Sequence, residues 1–241
     1  MIPAAMTISP VATVRSCFGE KFAIPRQPGL CPSAWGRLVF HPEYRSPEAV
    51  RGIEGFSHLW LIFGFHETAG QGWKPTVRPP RLGGNQRVGV FASRSTFRPN
   101  GLGLSLVKFE GVDLTDSEGP VLLLGGLDLV DGTPVYDVKP YLPYAEALPE
   151  AAGGYAEETL LRMPVEISPD AGADFLKLPP RARAVLMEAL SLDPRPATRS
   201  EDSDREFGAL LCGCNVRFVI RSGICRITGI EKTARGSGLN A

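Results

Sequence analysis

With 241 residues, the chain is long enough for one substantial core, or for a larger domain with a small companion. Its 26 Lys and Arg balance 26 Asp and Glu, and 43% hydrophobic residues describe an ordinary soluble globular protein. No apolar run reaches the roughly 18 residues of a membrane span, the N-terminus lacks a secretory pattern, and five cysteines, an odd count, fit a reducing, cytoplasmic setting without a disulfide framework.

Residues 7–15 (TISPVATVR) read as the first strand. The stretch around Pro25, Arg26, Gln27, Pro28 and Gly29 excludes helix and predicts a stiff, extended loop in which Arg26 and Gln27 supply donors. Residues 35–40 form a second predicted strand. Ser46, Pro47 and Gly52 mark a short helix by its cap, first turn and end. Residues 58–66 (HLWLIFGFH) are almost continuously apolar, as in a strand buried on both faces, with His66 and Glu67 at its end.

The next segment is set apart by charge. No Asp or Glu occurs between Thr68 and Phe109, yet Lys74, Arg78, Arg81, Arg87, Arg94, Arg98 and Lys108 all do. Residues 88–92 and 102–107 read as strands, and the loop between them carries Arg94, Phe97, Arg98, Asn100 and several hydroxyls. A loop held between strands can display polar groups accurately, and this one suits an anionic or flat polar ligand. Residues 121–130 and 131–141 follow as strand-rich segments, with Asp128 and Asp131 on either side of Leu129 and Val130. Read alone, these aspartates are equally a pair of turn residues or a pair of ligand acceptors.

Many short strands and almost no amphipathic helix before residue 145 favour a closed β-barrel, whose closure removes edges and creates a mouth, over a sandwich. The strand pattern alone leaves both open. Residues 144–155 resemble a linker. Beyond it lie a strand over 160–167, an amphipathic helix over 180–192, a rigid turn at Asp193, Pro194, Arg195 and Pro196, an acidic loop over 201–206, and a hairpin of 215–220 with 224–230 turning at Ser222 and Gly223. The tail after Glu231 reads as disordered. Cys212, Gly213 and Cys214 are spaced too tightly for a zinc knuckle and have no His nearby, so a structural role is expected. The fold class is thus mainly β, with a barrel domain at 1–147 and a small C-terminal α+β domain at 156–241.

Several stretches resemble the TsaA-like (TrmO) family of tRNA methyltransferases. They are PRQPG at 25–29, FSHLW at 56–60, RPPR at 78–81, GVFASRSTFRPN at 89–100, DLVDGTPV at 128–135, DVKPYLP at 137–143 and DPRP at 193–196. Family members commonly continue the FRPN stretch with Pro-Ile-Gly, where this chain has Gly101, Leu102 and Gly103. The resemblance implies a non-Rossmann β-barrel methyltransferase that acts as a homodimer, with its cofactor pocket near the subunit interface. It implies transfer from S-adenosylmethionine to N6 of an already threonylcarbamoylated adenosine 37, beside the tRNA anticodon and most familiarly in threonine tRNA. The absence of a Gly-rich strand-to-helix fingerprint agrees with a barrel.

The cofactor residues implied by the family are Pro25, Arg26, Gln27, His66, Glu67, Arg94, Leu104, Asp128, Leu129, Val130 and Asp131. On this reading Asp128 or Asp131 holds the ribose diol or the ammonium, Arg26 or Arg94 the methionine carboxylate, and Leu104 and Val130 wall the adenine. Arg81, Phe97, Arg98, Asn100 and Tyr141 are substrate-positioning candidates: Phe97 or Tyr141 to stack the base, Arg98 or Arg81 to meet its threonyl carboxylate. Positioning can supply about 7–11 kcal/mol of such a barrier, so no strong general base is expected. Two other readings compete: a non-catalytic RNA-binding barrel for modified anticodon loops, and a methyltransferase of a small metabolite or protein.

Overall fold

The computed structural model describes residues 5–195 and 205–233. Six strands close the barrel: β1 (Ala12–Ser16), β2 (Trp35–Phe40), β3 (His58–Gly64), β6 (Leu102–Asp113), β7 (Val121–Gly125) and β8 (Pro134–Pro140), in the order β1-β2-β7-β6-β3-β8. Closure settles the choice between barrel and sandwich. Each inward face is apolar: Val14, Leu38, Leu59, Leu61, Val107, Leu122, Leu124 and Val135 are all fully buried. The first strand starts at Ala12 rather than residue 7, after Pro10, which has no amide for a ladder.

Strand β6 organises the rest. Over 102–108 it pairs with β3, and over 108–113 with β7, the register shifting between Phe109 and Gly111. Among the described strands, the second edge of 102–107 therefore has no ladder partner. Ser105, Val107 and Phe109 point into the barrel, leaving Leu104, Leu106 and Lys108 on its outer face.

Several predicted elements differ. Strand β3 is not buried on both faces: Leu59, Leu61 and Phe63 are inside, while Trp60 and Ile62 are half-buried outside. Trp60 instead donates its Nε1–H to Glu146 Oε2 at 2.9 Å. Residues 88–92 are not a barrel strand. Only β5 (Val88–Gly89) is extended, and it pairs with β4 (Thr76–Val77) as a separate ribbon. Val90 to Ala92 then form a 3-10 turn that buries Val90 and leaves Phe91 75% exposed. Of the five residues only Val90 is buried, which is too little to hold a barrel strand. The segment at 46–52 is a 3-10 turn, Pro47–Val50, without a side-chain cap from Ser46.

After β8, α1 (Pro143–Glu146) and one 3-10 turn, Gly154–Ala156, are the regular structure in the predicted linker. The C-terminal domain is a sheet in the order β10-β11-β12-β9, from β9 (Val165–Ile167), β10 (Phe207–Leu211), β11 (Cys214–Arg221) and β12 (Ile224–Lys232). It carries α2 (Pro169–Lys177) and α3 (Pro180–Leu190). Sequence reading missed β10 and α2, although Ser168 caps α2 by accepting from the Ala171 amide and Pro169 opens its first turn. Cys212 and Gly213, both with positive φ, make the two-residue turn between β10 and β11. All five cysteines are free, and the described residues contain no cluster of three potential metal ligands. Residues 196–204 and the tail beyond 233 lie outside the described residues, including Pro196 and most of the predicted acidic loop. No helix among the described residues is long and apolar enough to cross a membrane.

Candidate functional site

Three connections meet along the open edge of β6: residues 17–34 between β1 and β2, residues 90–101 leading into β6, and residues 126–133 between β7 and β8. The prolines and Gly29 keep the first out of helix, but residues 26–30 pass through bends and turns rather than the extended chain expected. Gly29 enters with φ +77° and donates to Gly126 O at 2.8 Å, which ties this loop to the third connection. Between the loop and the outer face of the barrel lies a cavity of about 210 Å³ lined by Gly29, Pro32, His58, Leu106, Lys108 and Gly126. Leu104, 52% exposed, is the next outward residue of β6 beyond Leu106.

At the Leu104 end the predicted residues begin to converge. Arg94 Nη1 donates to Gln27 Oε1 at 2.5 Å, and Gln27 Nε2 to the Arg26 carbonyl. Arg26 is exposed overall, but its guanidinium loses part of its hydration, which lowers its pKa; Asp193 opposes this and the positive field of Arg81 reinforces it. Gln27 and Arg94, 67 positions apart, are thus in direct contact, while the Arg26 side chain lies within the field of Arg81 and Asp193; the positive charge of these loops suits an anion. From the third connection, Asp128 lies within the field of Arg94. Ser105 Oγ donates to its Oδ1 at 2.7 Å, and burial pushes its carboxyl up to about 6, with Ser105 and the Arg94 charge pulling the other way. Asp128 makes no ion pair among the described residues, so a cationic ligand group placed there would gain directly.

Asp131 is bonded to main chain. Its Oδ1 accepts from the Ser16 amide at 2.9 Å and its own amide donates to Phe18 O at 2.8 Å, fastening the end of β1. The Leu129 side chain is 2% exposed, in the core, leaving its main chain as what it can offer a ligand. Val130 is half-buried, and its carbonyl accepts from Thr133 Oγ1. Pro25 is buried and sets the loop's backbone. His66 and Glu67 are exposed on the 3-10 stretch His66–Gln71 that follows β3, without a hydrogen bond to the Arg94 group.

The substrate candidates are spread out. Phe97 lies beneath the Lys74 ammonium, 4.3 Å from its ring centre. Arg98 is engaged locally, donating to Ser93 O at 2.6 Å and Val90 O at 3.3 Å, and Arg81 donates to Glu158 O at 2.6 Å. Both guanidinium groups therefore brace main chain. Asn100 is exposed in the turn before β6. Tyr141 sits at the far end of β3, its amide bonded to His58 O and its ring edge-on to His58 and Trp60. Sequence reasoning missed Ser105, and also His58 and Lys108 as cavity walls. Strand alternation places Ser105 inward, but nothing in the sequence connects it with residue 128.

The departure lies at 101 and 102, Gly103 matching the family's glycine, and at 101 it has a definite structural effect. Gly101 adopts φ +60° and donates its amide to Arg98 O at 3.1 Å; proline can do neither. Gly103 lies directly against the Phe63 ring, where any Cβ would collide.

Comparison with known proteins covers both domains. The family "tRNA-methyltransferase O N-terminal domain" matches residues 13–147, and the "TrmO C-terminal domain" residues 161–233. A "tRNA (adenine(37)-N6)-methyltransferase" of Escherichia coli (strain K12) is 46% identical over 226 residues, 92% of this chain and 96% of that protein. A Pseudomonas aeruginosa protein named "Putative S-adenosylmethionine-dependent methyltransferase RcsF" is 44% identical over 88% of this chain and 91% of its own length. The crystal structure of TrmO from Pseudomonas aeruginosa superposes with a TM-score of 0.77 at 37% identity, covering 94% of this chain and 98% of that one.

Proposed function

Since this chain belongs to the tRNA-methyltransferase O family, we propose that it is a tRNA (adenine-37-N6)-methyltransferase that uses S-adenosylmethionine as methyl donor. The base it accepts is N6-threonylcarbamoyladenosine, in threonine tRNA above all, and that substrate implies work in the cytoplasm. The observation that carries the reading is the Arg94–Gln27 bond formed within the field of Asp128, in a chain matched to the family over both domains.

The residues fit the donor's chemistry. S-Adenosylmethionine supplies an electrophilic methyl on a sulfonium together with an ammonium, a carboxylate and a ribose. Asp128, a half-buried acid whose carboxyl has lost much of its hydration and which has no ion pair among the described residues, suits the ligand's positive charge or its diol. Arg94 and Arg26, with Arg81 adding to the local field, suit the carboxylate, and Gln27 holds Arg94 in place. Leu104 offers an apolar wall. Phe97, held by Lys74 in the same loop region, is the aromatic best supported for stacking the extruded base. A dimer is part of the same reading, supported by Leu104 and Phe91, which stay 52% and 75% exposed until something covers them.

Calorimetry tests the reading against a non-catalytic RNA-binding barrel. Binding of S-adenosylmethionine that is lost in Arg94→Ala supports the enzyme; absence of binding at millimolar cofactor supports the binder. Methylation of a small metabolite or protein, with tRNA left unmodified, would replace the substrate assignment.

A further inference from the structure

The cofactor loop is held largely by the C-terminal domain. Its prolines at 25, 28 and 32 remove amides, so much of its fastening falls to carbonyl groups, which need external donors. Arg162, after the linker, donates Nη2 to Leu30 O at 2.5 Å while its Nη1 is anchored on Ser191 Oγ at 2.9 Å. From α3, Glu188 accepts from the Ser33 amide at 2.9 Å and from Ser33 Oγ at 2.7 Å. Arg181 donates to Ser33 O at 3.0 Å and forms an ion pair with Glu110 of β6 at 2.9 Å. Arg26 itself donates to the Arg195 carbonyl at 3.3 Å, and the Arg195 guanidinium is clamped on Asp193. The barrel's own ties are Gly29 to Gly126, Gly126 to Ala34 and the Arg94–Gln27 bond.

We propose that Glu188 and Arg162 are positioning residues for the methyl-transfer site: the C-terminal domain sets the conformation of loop 25–34, holding Arg26 in place and presenting Gln27 to Arg94. This rests on the functional reading above and gives the C-terminal domain a role in cofactor affinity, distinct from any contact with RNA. Neither residue touches the cluster itself. Both act through the loop, so their loss weakens cofactor capture and leaves the chemistry of bound complex intact.

Steady-state methylation of threonylcarbamoylated tRNA by the full chain separates the possibilities, with hydrogen exchange on the loop as second readout. In Glu188→Ala and Arg162→Ala, the KM for S-adenosylmethionine rises about tenfold, the order expected when charge-assisted ties to the loop are lost, while kcat and the KM for tRNA stay within about twofold. Amides of residues 26–34 exchange faster and those of β11–β12 do not. Glu188→Gln, which keeps an acceptor for the Ser33 amide, restores the KM to within about threefold. Arg226→Ala, which breaks the exposed ion pair with Glu166 in the same domain, leaves all parameters unchanged. A rise in the KM for tRNA alone, unchanged kinetics in both alanine variants, or uniform loss of protection across the C-terminal sheet would each overturn the proposal. Absence of cofactor binding by the wild-type protein would instead defeat the functional reading itself.

Discussion

Replacing Asp128 with Asn should make the ligand-free protein more stable and worse at its task. Burial raises this carboxyl from its ordinary 3.8 to about 6, which costs the folded state up to about 3 kcal/mol at neutral pH. Asn keeps an oxygen for the Ser105 hydroxyl and removes the charge that the site desolvates. The sign follows from linkage. A raised folded pKa gives the wild-type protein its full share of stability below the unfolded value, and that share is lost as pH rises through about 6. At pH 7.5 Asp128→Asn should therefore melt about 5–10 °C higher, and the two curves should converge towards pH 4. Calorimetry should show the opposite trend for the cofactor: weaker binding by the variant at pH 7.5, and wild-type affinity that falls as pH drops below about 6. Equal melting temperatures at pH 7.5, an advantage that persists at pH 4, or undiminished cofactor affinity would refute the electrostatic account of Asp128.

Arg94→Ala should raise the KM for S-adenosylmethionine by roughly 10- to 100-fold, the range for removing a hydrogen bond to a charged group, measured by steady-state methylation. Gly103→Ala forces a methyl group against Phe63 and should cost about 1–3 kcal/mol in a denaturant titration. Gly101→Pro requires a backbone angle that this turn does not have and deletes the bond to Arg98 O; a loss of more than about 1 kcal/mol is expected by the same titration.

The sequence was most legible where local pattern and final environment agree. Residues 35–40 are a strand as read, and the C-terminal hairpin turns at Ser222 and Gly223 with both partners in place. Helix α3 ends two residues earlier than predicted. Where distant packing decides, pattern misled. Trp60 and Ile62 look like core residues in sequence but lie on the barrel's outer face, and Val88 to Ala92 alternate like a strand yet have a single side chain to bury. The same division holds for the site. The stiff loop, the basic segment with Arg94 and the Asp128–Asp131 pair stood out by residue type, but the aspartates read equally as turn residues, and only the family resemblance assigned these positions to a cofactor. That Gln27 holds Arg94, that Asp131 fastens Ser16, and that Glu188 grips Ser33 are contacts across 67, 115 and 155 positions, for which a single sequence carries no local signal.

The central claim is that the Arg26–Gln27–Arg94–Asp128 cluster binds S-adenosylmethionine so that its methyl reaches N6 of a modified adenosine. Incubating the purified protein with methyl-labelled S-adenosylmethionine and threonylcarbamoylated threonine tRNA, then analysing the nucleosides by mass spectrometry, tests it most directly. The account predicts one labelled methyl on N6 of threonylcarbamoyladenosine at position 37, strongly reduced in Arg94→Ala at limiting cofactor. Label on another nucleoside, no transfer at all, or full transfer by Arg94→Ala under those conditions would contradict it.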